Sequence, residues 1–126
     1  MKAIFQYIDS HKQNEQNVRE KLMAKVCEKV DKKEPLFCIG YYLSSIRINA
    51  AFTNMVYFSK CKFQGVADFS WAKFCGDETC FDEAEFSGET SFEWAEFSGE
   101  SKDFYHTKFS GDMTVFSWAK FSGSTY

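Results

Sequence analysis

The chain has 126 residues, which is enough for one domain, and it carries 15 Lys or Arg against 18 Asp or Glu, a formal net charge of −3. A chain with this balance lacks the basic footprint that binding to nucleic acid requires. No apolar run reaches the roughly eighteen residues of a membrane-spanning helix, and the apolar part of the first nine residues is too short for a secretory signal. We therefore predict a cytoplasmic protein.

Residues 1–45 predict a helix and a capping segment. Ser10 and Gln13 match a capping box, and Pro35 ends the helical pattern. Between them runs an apolar stripe at helical spacing, which consists of Val18, Leu22, Met23, Val26, Cys27 and Val30. We expect this helix to cover the end of the following part of the chain, where unpaired strand edges would otherwise invite aggregation. A helix that recruits a partner or dimerises is the alternative.

Residues 46–126 repeat a phenylalanine at gaps that alternate between five residues and six or seven. Neither a helix nor a half-buried strand spaces its apolar residues in this way, so the pattern indicates a repeat protein. Two positions before each phenylalanine the side chain is small, except at Lys102, where we expect the chain to bulge and the ammonium to reach solvent. The predicted core consists of Phe52, Phe58, Phe63, Phe69, Phe74, Phe81, Phe86, Phe92, Phe97, Phe104, Phe109, Phe116 and Phe121.

Every fourth phenylalanine recurs after 22 to 24 residues, which predicts four faces in each coil. Two other sets of residues recur at the same interval and should stack at corners; they are Trp71, Trp94 and Trp118, and Lys60, Glu83 and His106. We expect the second set to pair its charges at the surface. We predict an all-β repeat solenoid, a right-handed quadrilateral (square) β-helix of about three coils, although the spacing carries no information on handedness. The glycines that follow alternate phenylalanines by two residues should supply permissive backbone at the corners.

Four segments carry a resemblance to a known family. They read Ala-Lys-Phe-Cys-Gly-Asp at 72–77, Ala-Glu-Phe-Ser-Gly-Glu at 84–89 and 95–100, and Ala-Lys-Phe-Ser-Gly-Ser at 119–124. These segments resemble the pentapeptide-repeat family, and more narrowly its Phe-rich branch with alternating spacings of five and six or seven residues. The resemblance implies a quadrilateral β-helix without an active site. It also implies that some members mimic duplex DNA toward type II topoisomerases and that some associate through terminal coils.

The charge of the repeat part leaves two functions open. From Ala50 onward six Lys face twelve Asp or Glu. Such an acidic rod permits an acidic DNA-mimic regulator of a DNA-binding enzyme such as DNA gyrase or another topoisomerase, but Lys73, Lys108 and Lys120 interrupt the acids. The simpler reading is that the acids keep the rod soluble. We therefore predict a non-enzymatic structural or protein-interaction module, with DNA mimicry as the alternative.

The expected partner is another protein or a second copy of the chain. Trp71, Trp94 and Trp118 should point outward, where stacked rings stabilise a ladder and can also form an interaction surface. The next phenylalanine would be due just after residue 126, so the rod is either part of a longer one or open at that end. An open last coil would allow an end-to-end dimer.

No catalytic, cofactor-binding or metal-binding residues are predicted. The two histidines, His11 and His106, lie in different parts of the chain, and no phosphate loop, zinc motif or nucleophile elbow is present. Cys61 occupies an inward position and should fill the core. A metal site would have to unite the other cysteines across the helical cap and the second coil, and we do not expect one; they are Cys27, Cys38, Cys75 and Cys80.

Overall fold

The computed structural model describes the backbone of residues 15–126 and the side chains from residue 19 onward. The predicted capping box of Ser10 and Gln13, and His11, lie outside the described residues. Helix α1 spans Glu15–Lys32, and seventeen short strands follow it. They are β1 (Leu36–Phe37), β2 (Tyr42–Leu43), β3 (Ile46–Arg47), β4 (Ala51–Phe52), β5 (Val56–Tyr57), β6 (Lys62–Phe63), β7 (Ala67–Asp68), β8 (Lys73–Phe74), β9 (Glu78–Cys80), β10 (Glu85–Phe86), β11 (Thr90–Ser91), β12 (Glu96–Phe97), β13 (Ser101–Asp103), β14 (Lys108–Phe109), β15 (Thr114–Val115), β16 (Lys120–Phe121) and β17 (Ser124–Thr125).

The strands form four parallel sheets, and each strand pairs with the strand four places later in the chain. One sheet has the order β1-β5-β9-β13-β17, and the other three are β2-β6-β10-β14, β3-β7-β11-β15 and β4-β8-β12-β16. The chain therefore winds through about four turns of a square β-solenoid, which confirms the predicted fold class. Within the described residues, no helix has the length and apolar character needed to cross a membrane.

The solenoid begins before the phenylalanine pattern does. Strand β1 already pairs in parallel with β5, with Leu36 opposite Val56, and β2 pairs with β6, with Leu43 opposite Phe63. The core of this first turn is aliphatic on its first three strands, where Leu36, Leu43 and Ile46 are buried, and becomes aromatic at Phe52 on β4. The structure thus holds one more turn than the phenylalanines alone mark.

Helix α1 packs against this first turn. Leu22 and Val26 are buried on it, and the helix contacts strands β1 and β2. Its last turn closes with Lys33 in the left-handed region at φ 56° and with the amide of Glu34 donating to the carbonyl of Lys29 at 2.9 Å. The predicted helix at the N-terminal end of the rod is therefore confirmed.

The thirteen phenylalanines form four columns of stacked rings that run along the rod. Within a column the ring centroids lie 4.6 to 5.4 Å apart, close to the spacing of neighbouring strands. Rings on adjacent faces meet edge to face, as Phe69 and Phe81 do with an interplanar angle of 82°. The columns are Phe52–Phe74–Phe97–Phe121, Phe58–Phe81–Phe104, Phe63–Phe86–Phe109 and Phe69–Phe92–Phe116.

The glycines of the repeat serve a different purpose from the one expected. Among the six that follow phenylalanines, Gly123 alone has a positive φ, so the left-handed conformation is not their common role. They are instead sites of close approach between turns, because a Cβ on Gly88 would lie 2.2 Å from the carbonyl oxygen of Gly65, and one on Gly99 would lie 1.7 Å from that of Gly76. The predicted corner flexibility is therefore wrong for most of these glycines, and steric room between stacked turns explains them.

Lys102 also departs from the expectation. It lies in the inward column Leu36–Val56–Thr79–Lys102–Thr125, in register with Thr79 and Thr125 on the flanking strands. Its side chain is fully buried, and its Nζ donates a hydrogen bond to the carbonyl oxygen of Gly99 at 2.9 Å. The bulge toward solvent is therefore wrong: β13 stays in register, and the long side chain folds within the rod. Burial lowers the pKa of the Lys102 amine from its ordinary value.

Candidate interaction surface

The three tryptophans form an exposed ladder along one corner of the rod, the Trp ladder (Trp71, Trp94 and Trp118). The ring centroids of Trp71 and Trp94 lie 5.1 Å apart and those of Trp94 and Trp118 lie 5.2 Å apart, with interplanar angles of 8° at both steps. Their exposed fractions are 59%, 38% and 69%. The turns of the solenoid therefore hold three nearly parallel indoles in fixed positions at the surface.

The backbone at this corner is left-handed. The φ angles of Trp71, Trp94 and Trp118 are 67°, 62° and 62°, a region that bulky residues enter at a cost in backbone energy. A second corner of the rod, formed by Lys60, Glu83 and His106, has the same backbone conformation, with φ angles of 60°, 57° and 58°. Because Lys, Glu and His make the same turn, the corner geometry itself does not require an indole.

The column of Lys60, Glu83 and His106 was predicted to pair its charges. In the described part of the chain, no ion pair within 4.0 Å joins these three residues. His106 instead packs its ring against that of Tyr105, with the centroids 4.0 Å apart. The prediction of pairing is therefore wrong, and this corner is a solvated column.

Two outward faces of the rod alternate in charge from turn to turn. Glu96 on β12 lies in register between Lys73 on β8 and Lys120 on β16. The opposite sheet, β2-β6-β10-β14, repeats this order, with Glu85 between Lys62 and Lys108. Opposite charges on neighbouring strands attract, and they leave no continuous acidic track on these two faces. This arrangement does not favour mimicry of the phosphate backbone of DNA, which presents charges of one sign.

The last described turn exposes part of the phenylalanine core. Phe104 and Phe109 are half-buried, while Phe116 and Phe121 are 37% and 42% exposed. The other phenylalanines of the repeat, from Phe52 to Phe97, are buried. The phenylalanine columns are thus most exposed in the coil that the sequence predicted to be open.

An open groove of about 640 Å³ lies between α1 and the sheet that contains β3 and β7. Met23, Ile46 and Val66 supply its apolar lining, and an ion pair between Arg47 Nε and an Asp68 carboxylate oxygen, 3.3 Å apart, lies at its edge. No candidate residue from the sequence falls in this groove. It is a consequence of the helix lying against the first turn.

The cysteines divide into core and surface positions. Cys61 and Cys38 are fully buried, and the Cys61 thiol donates to the carbonyl oxygen of Cys38 at 2.8 Å. Cys27 and Cys75 are exposed. Within residues 19–126, one group of three metal-ligating side chains comes together, and it unites Cys80 with two carboxylates that the sequence analysis did not connect to it, Asp82 and Asp103. The coil interval of 23 residues, which places Asp103 directly above Cys80, was the signal that could have found it.

Comparisons of the chain with protein-family models, with curated proteins and with solved structures find no match. The solenoid geometry, with four parallel sheets and faces about five residues apart, is compatible with a pentapeptide-repeat fold.

Proposed function

We propose that the chain is a member of the pentapeptide-repeat family and works as a non-enzymatic protein-interaction module. The Phe-stacked core supports this proposal, because its four columns fill the inside of the rod and leave its outer surface for contacts. The described cysteines are all free thiols, in keeping with a reducing compartment such as the cytoplasm.

The observation that carries the proposal is the Trp ladder. Stacked indoles add stability to a rod, but the equivalent corner of Lys60, Glu83 and His106 holds the same backbone without them. Large aromatic side chains held rigidly at a surface lose little entropy on binding and dominate protein interfaces. The ladder is therefore better explained as a contact surface that also contributes some stability than as a structural requirement of the turn.

The partner that the chain itself offers is a second copy. The exposed faces of the Trp ladder and the apolar end face, Phe116 with Phe121, are the two surfaces through which copies would associate. An apolar contact would persist at high salt, whereas a contact between charged flanks would weaken because salt screens exposed charges.

Molecular mass measured by light scattering at low and high salt tests this proposal. We expect the parent chain to form a dimer that persists at high salt. A triple variant, Trp71→Lys, Trp94→Glu and Trp118→His, borrows the residues of the equivalent corner and should be folded and monomeric, at a stability loss of about 1–3 kcal/mol for two stacked pairs.

The matched control is the end-face variant Phe116→Ser with Phe121→Ser. If it dissociates the dimer while the ladder variant does not, the contact runs end to end and the ladder assignment is wrong. A parent chain that is monomeric at every concentration and salt contradicts self-association altogether.

A further inference from the structure

A thiol and two carboxylates meet on the outer face of the five-stranded sheet. Cys80 on β9 and Asp103 on β13 are register partners on consecutive turns, and Asp82 follows Cys80 by two residues. One ligating atom from each of the three side chains lies within 4.8 Å of the others. Ligand atoms of a tetrahedral zinc ion with bonds of about 2.0–2.3 Å lie roughly 3.3–3.8 Å apart, so side-chain rotations that shorten the separations by up to roughly 1.5 Å would bring all three atoms to a common ion.

The burial of Cys80 has an unusual origin. Thr79, its neighbour, points inward, so Cys80 points away from the core, yet it is only 9% exposed. The side chains around it bury it on an outer face. Its Sγ makes no hydrogen bond to any described residue, in contrast with Cys61, whose thiol lies inside the rod and donates to the Cys38 carbonyl. Core filling accounts for Cys61 but not for Cys80.

The charge around this thiol is unbalanced. The carboxylates of Glu78, Asp82 and Asp103 all lie near the Cys80 thiol. In the described part of the chain, no ion pair within 4.0 Å involves Asp82 or Asp103 with a basic side chain. On two of the other sheets, lysines lie in register above and below Glu85 and Glu96, but here the register partners of Cys80 are Tyr57 and Asp103. A positive charge is missing at this position.

The surrounding hydrogen bonds hold the carboxylates in place. The Ser59 hydroxyl donates to Asp82 from the turn below, and the Tyr57 hydroxyl donates to Glu78. The backbone amide of Tyr105 donates to Asp103 at 2.8 Å. Each aspartate is half-buried, so its remaining lone pairs are accessible from solvent. Such outer partners orient the ligands of metal sites.

We propose that Cys80, Asp82 and Asp103 bind one divalent transition-metal ion of the zinc class, which ties two consecutive turns of the rod together. One thiolate and two carboxylates are a ligand set that suits Zn²⁺ and its probe Co²⁺ and leaves a fourth position for water. On binding, the thiol proton is released to solvent, and the ion supplies the positive charge that the three acidic groups lack. This site is independent of the contact proposed for the Trp ladder.

Co²⁺ titration of the full chain under reducing, chelator-free conditions tests the site. The starting protein is the Cys27→Ser, Cys75→Ser variant, which removes the exposed thiols as competing ligands. We expect one Co²⁺ per chain, a thiolate-to-cobalt charge-transfer band in the near ultraviolet, and loss of that band on addition of Zn²⁺. Zn²⁺ should also raise the unfolding temperature.

Three further substitutions in the same background decide the assignment. Cys80→Ser should abolish the band, and Asp103→Asn should weaken Co²⁺ binding at least tenfold. Glu83→Gln is the matched control, because it removes a neighbouring exposed carboxylate outside the cluster and should leave binding unchanged. Absence of a band in the starting protein, a band that survives Cys80→Ser, or equal affinity in the Asp103 and Glu83 variants would each overturn the proposal.

Discussion

The first turn with its helix and the three turns that follow share one backbone architecture but have different cores. In the first turn, aliphatic and thiol side chains such as Leu36, Leu43 and Cys38 fill the interior and pack near α1. In the later turns, phenylalanines stack from turn to turn with centroids 4.6 to 5.4 Å apart. The parallel sheets continue across the boundary, so backbone pairing does not depend on the aromatic stack. The stack therefore adds packing energy and register to a backbone path that aliphatic residues also follow.

The largest expected effect comes from interrupting the stack in its middle. Phe81 is fully buried and stacks between Phe58 and Phe104. Phe81→Ala should lower the free energy of unfolding by about 3–5 kcal/mol, because it leaves a cavity that rigid rings cannot fill. In a rod where each turn contacts only its neighbours, it should also uncouple the two halves and broaden the urea transition followed by tryptophan fluorescence.

The companion substitution is Leu43→Ala in the first turn, which is buried below Phe63. We expect it to cost about 2–3 kcal/mol and to leave the transition of the later turns sharp, since the damage lies at one end. Hydrogen exchange would locate the loosened strands. If Leu43→Ala broadens the transition as much as Phe81→Ala does, the two regions form one cooperative unit and the distinction between them fails.

The second prediction concerns the buried thiols Cys38 and Cys61, near the helical end of the rod. Burial raises the pKa of the Cys38 thiol from 9.0 to about 12 and raises that of Cys61 as well. At a pH between 9.0 and the raised pKa, each thiol keeps its proton in the folded state and loses it in the unfolded state. Stability should therefore be unaffected below pH 9 and fall above it, by about 1.4 kcal/mol per pH unit for each such thiol. Burial also raises the pKa of the Cys80 thiol in a later turn, but Cys80 lies on an outer face and outside the aromatic columns.

Urea unfolding between pH 7 and pH 10.5 measures this slope. Cys61→Ala should reduce the loss of stability by the contribution of one thiol, about 1.4 kcal/mol per pH unit. The exposed control Cys75→Ala should leave the slope unchanged. Hydrogen exchange at high pH should show that the first turn opens before the later ones. An equal slope in all three proteins would mean that the thiols are not protected by the fold.

The four-faced solenoid could be predicted from the sequence because a phenylalanine recurs on each face, and this spacing is repeated over about three turns. It missed the first turn because Leu36, Leu43 and Ile46 lack that mark, and short apolar runs do not distinguish a strand from a lead-in segment. The stacking of the Trp ladder followed from equal intervals in the sequence. The same interval places Asp103 above Cys80, but the burial of Cys80 on an outer face was not predictable, because it depends on how the side chains of two turns pack around it.

The failure at Lys102 has a different physical reason. A lysine at an inward position was expected to escape to solvent, since burying a charge is costly. The strand stayed in register with Thr79 and Thr125, and the flexible side chain instead found the carbonyl of Gly99. Periodicity therefore predicts which way a residue points, while the path of a long side chain depends on the backbone oxygens it can reach.

The smallest predicted effect is a gain of stability on removing that lysine. The lowered pKa means that the folded state disfavours the charged amine; this penalty is present at neutral pH and disappears as pH rises toward the ordinary value of 10.5. Lys102→Met keeps the length of the side chain without the charge and should raise the free energy of unfolding by roughly 1–2 kcal/mol at pH 7. The gain should shrink toward pH 10.5.

Lys120→Met is the control, since Lys120 is exposed on the outer face of β16 and should change stability little. Urea unfolding of the two variants and the parent at pH 7 and pH 10 gives the comparison. A loss of stability in Lys102→Met would show that the hydrogen bond to Gly99 outweighs the burial of the amine. In that case the phenylalanine turns would also depend on a polar contact within their core. Only the stacked rings would then distinguish them from the first turn, which contains the Cys38 thiol.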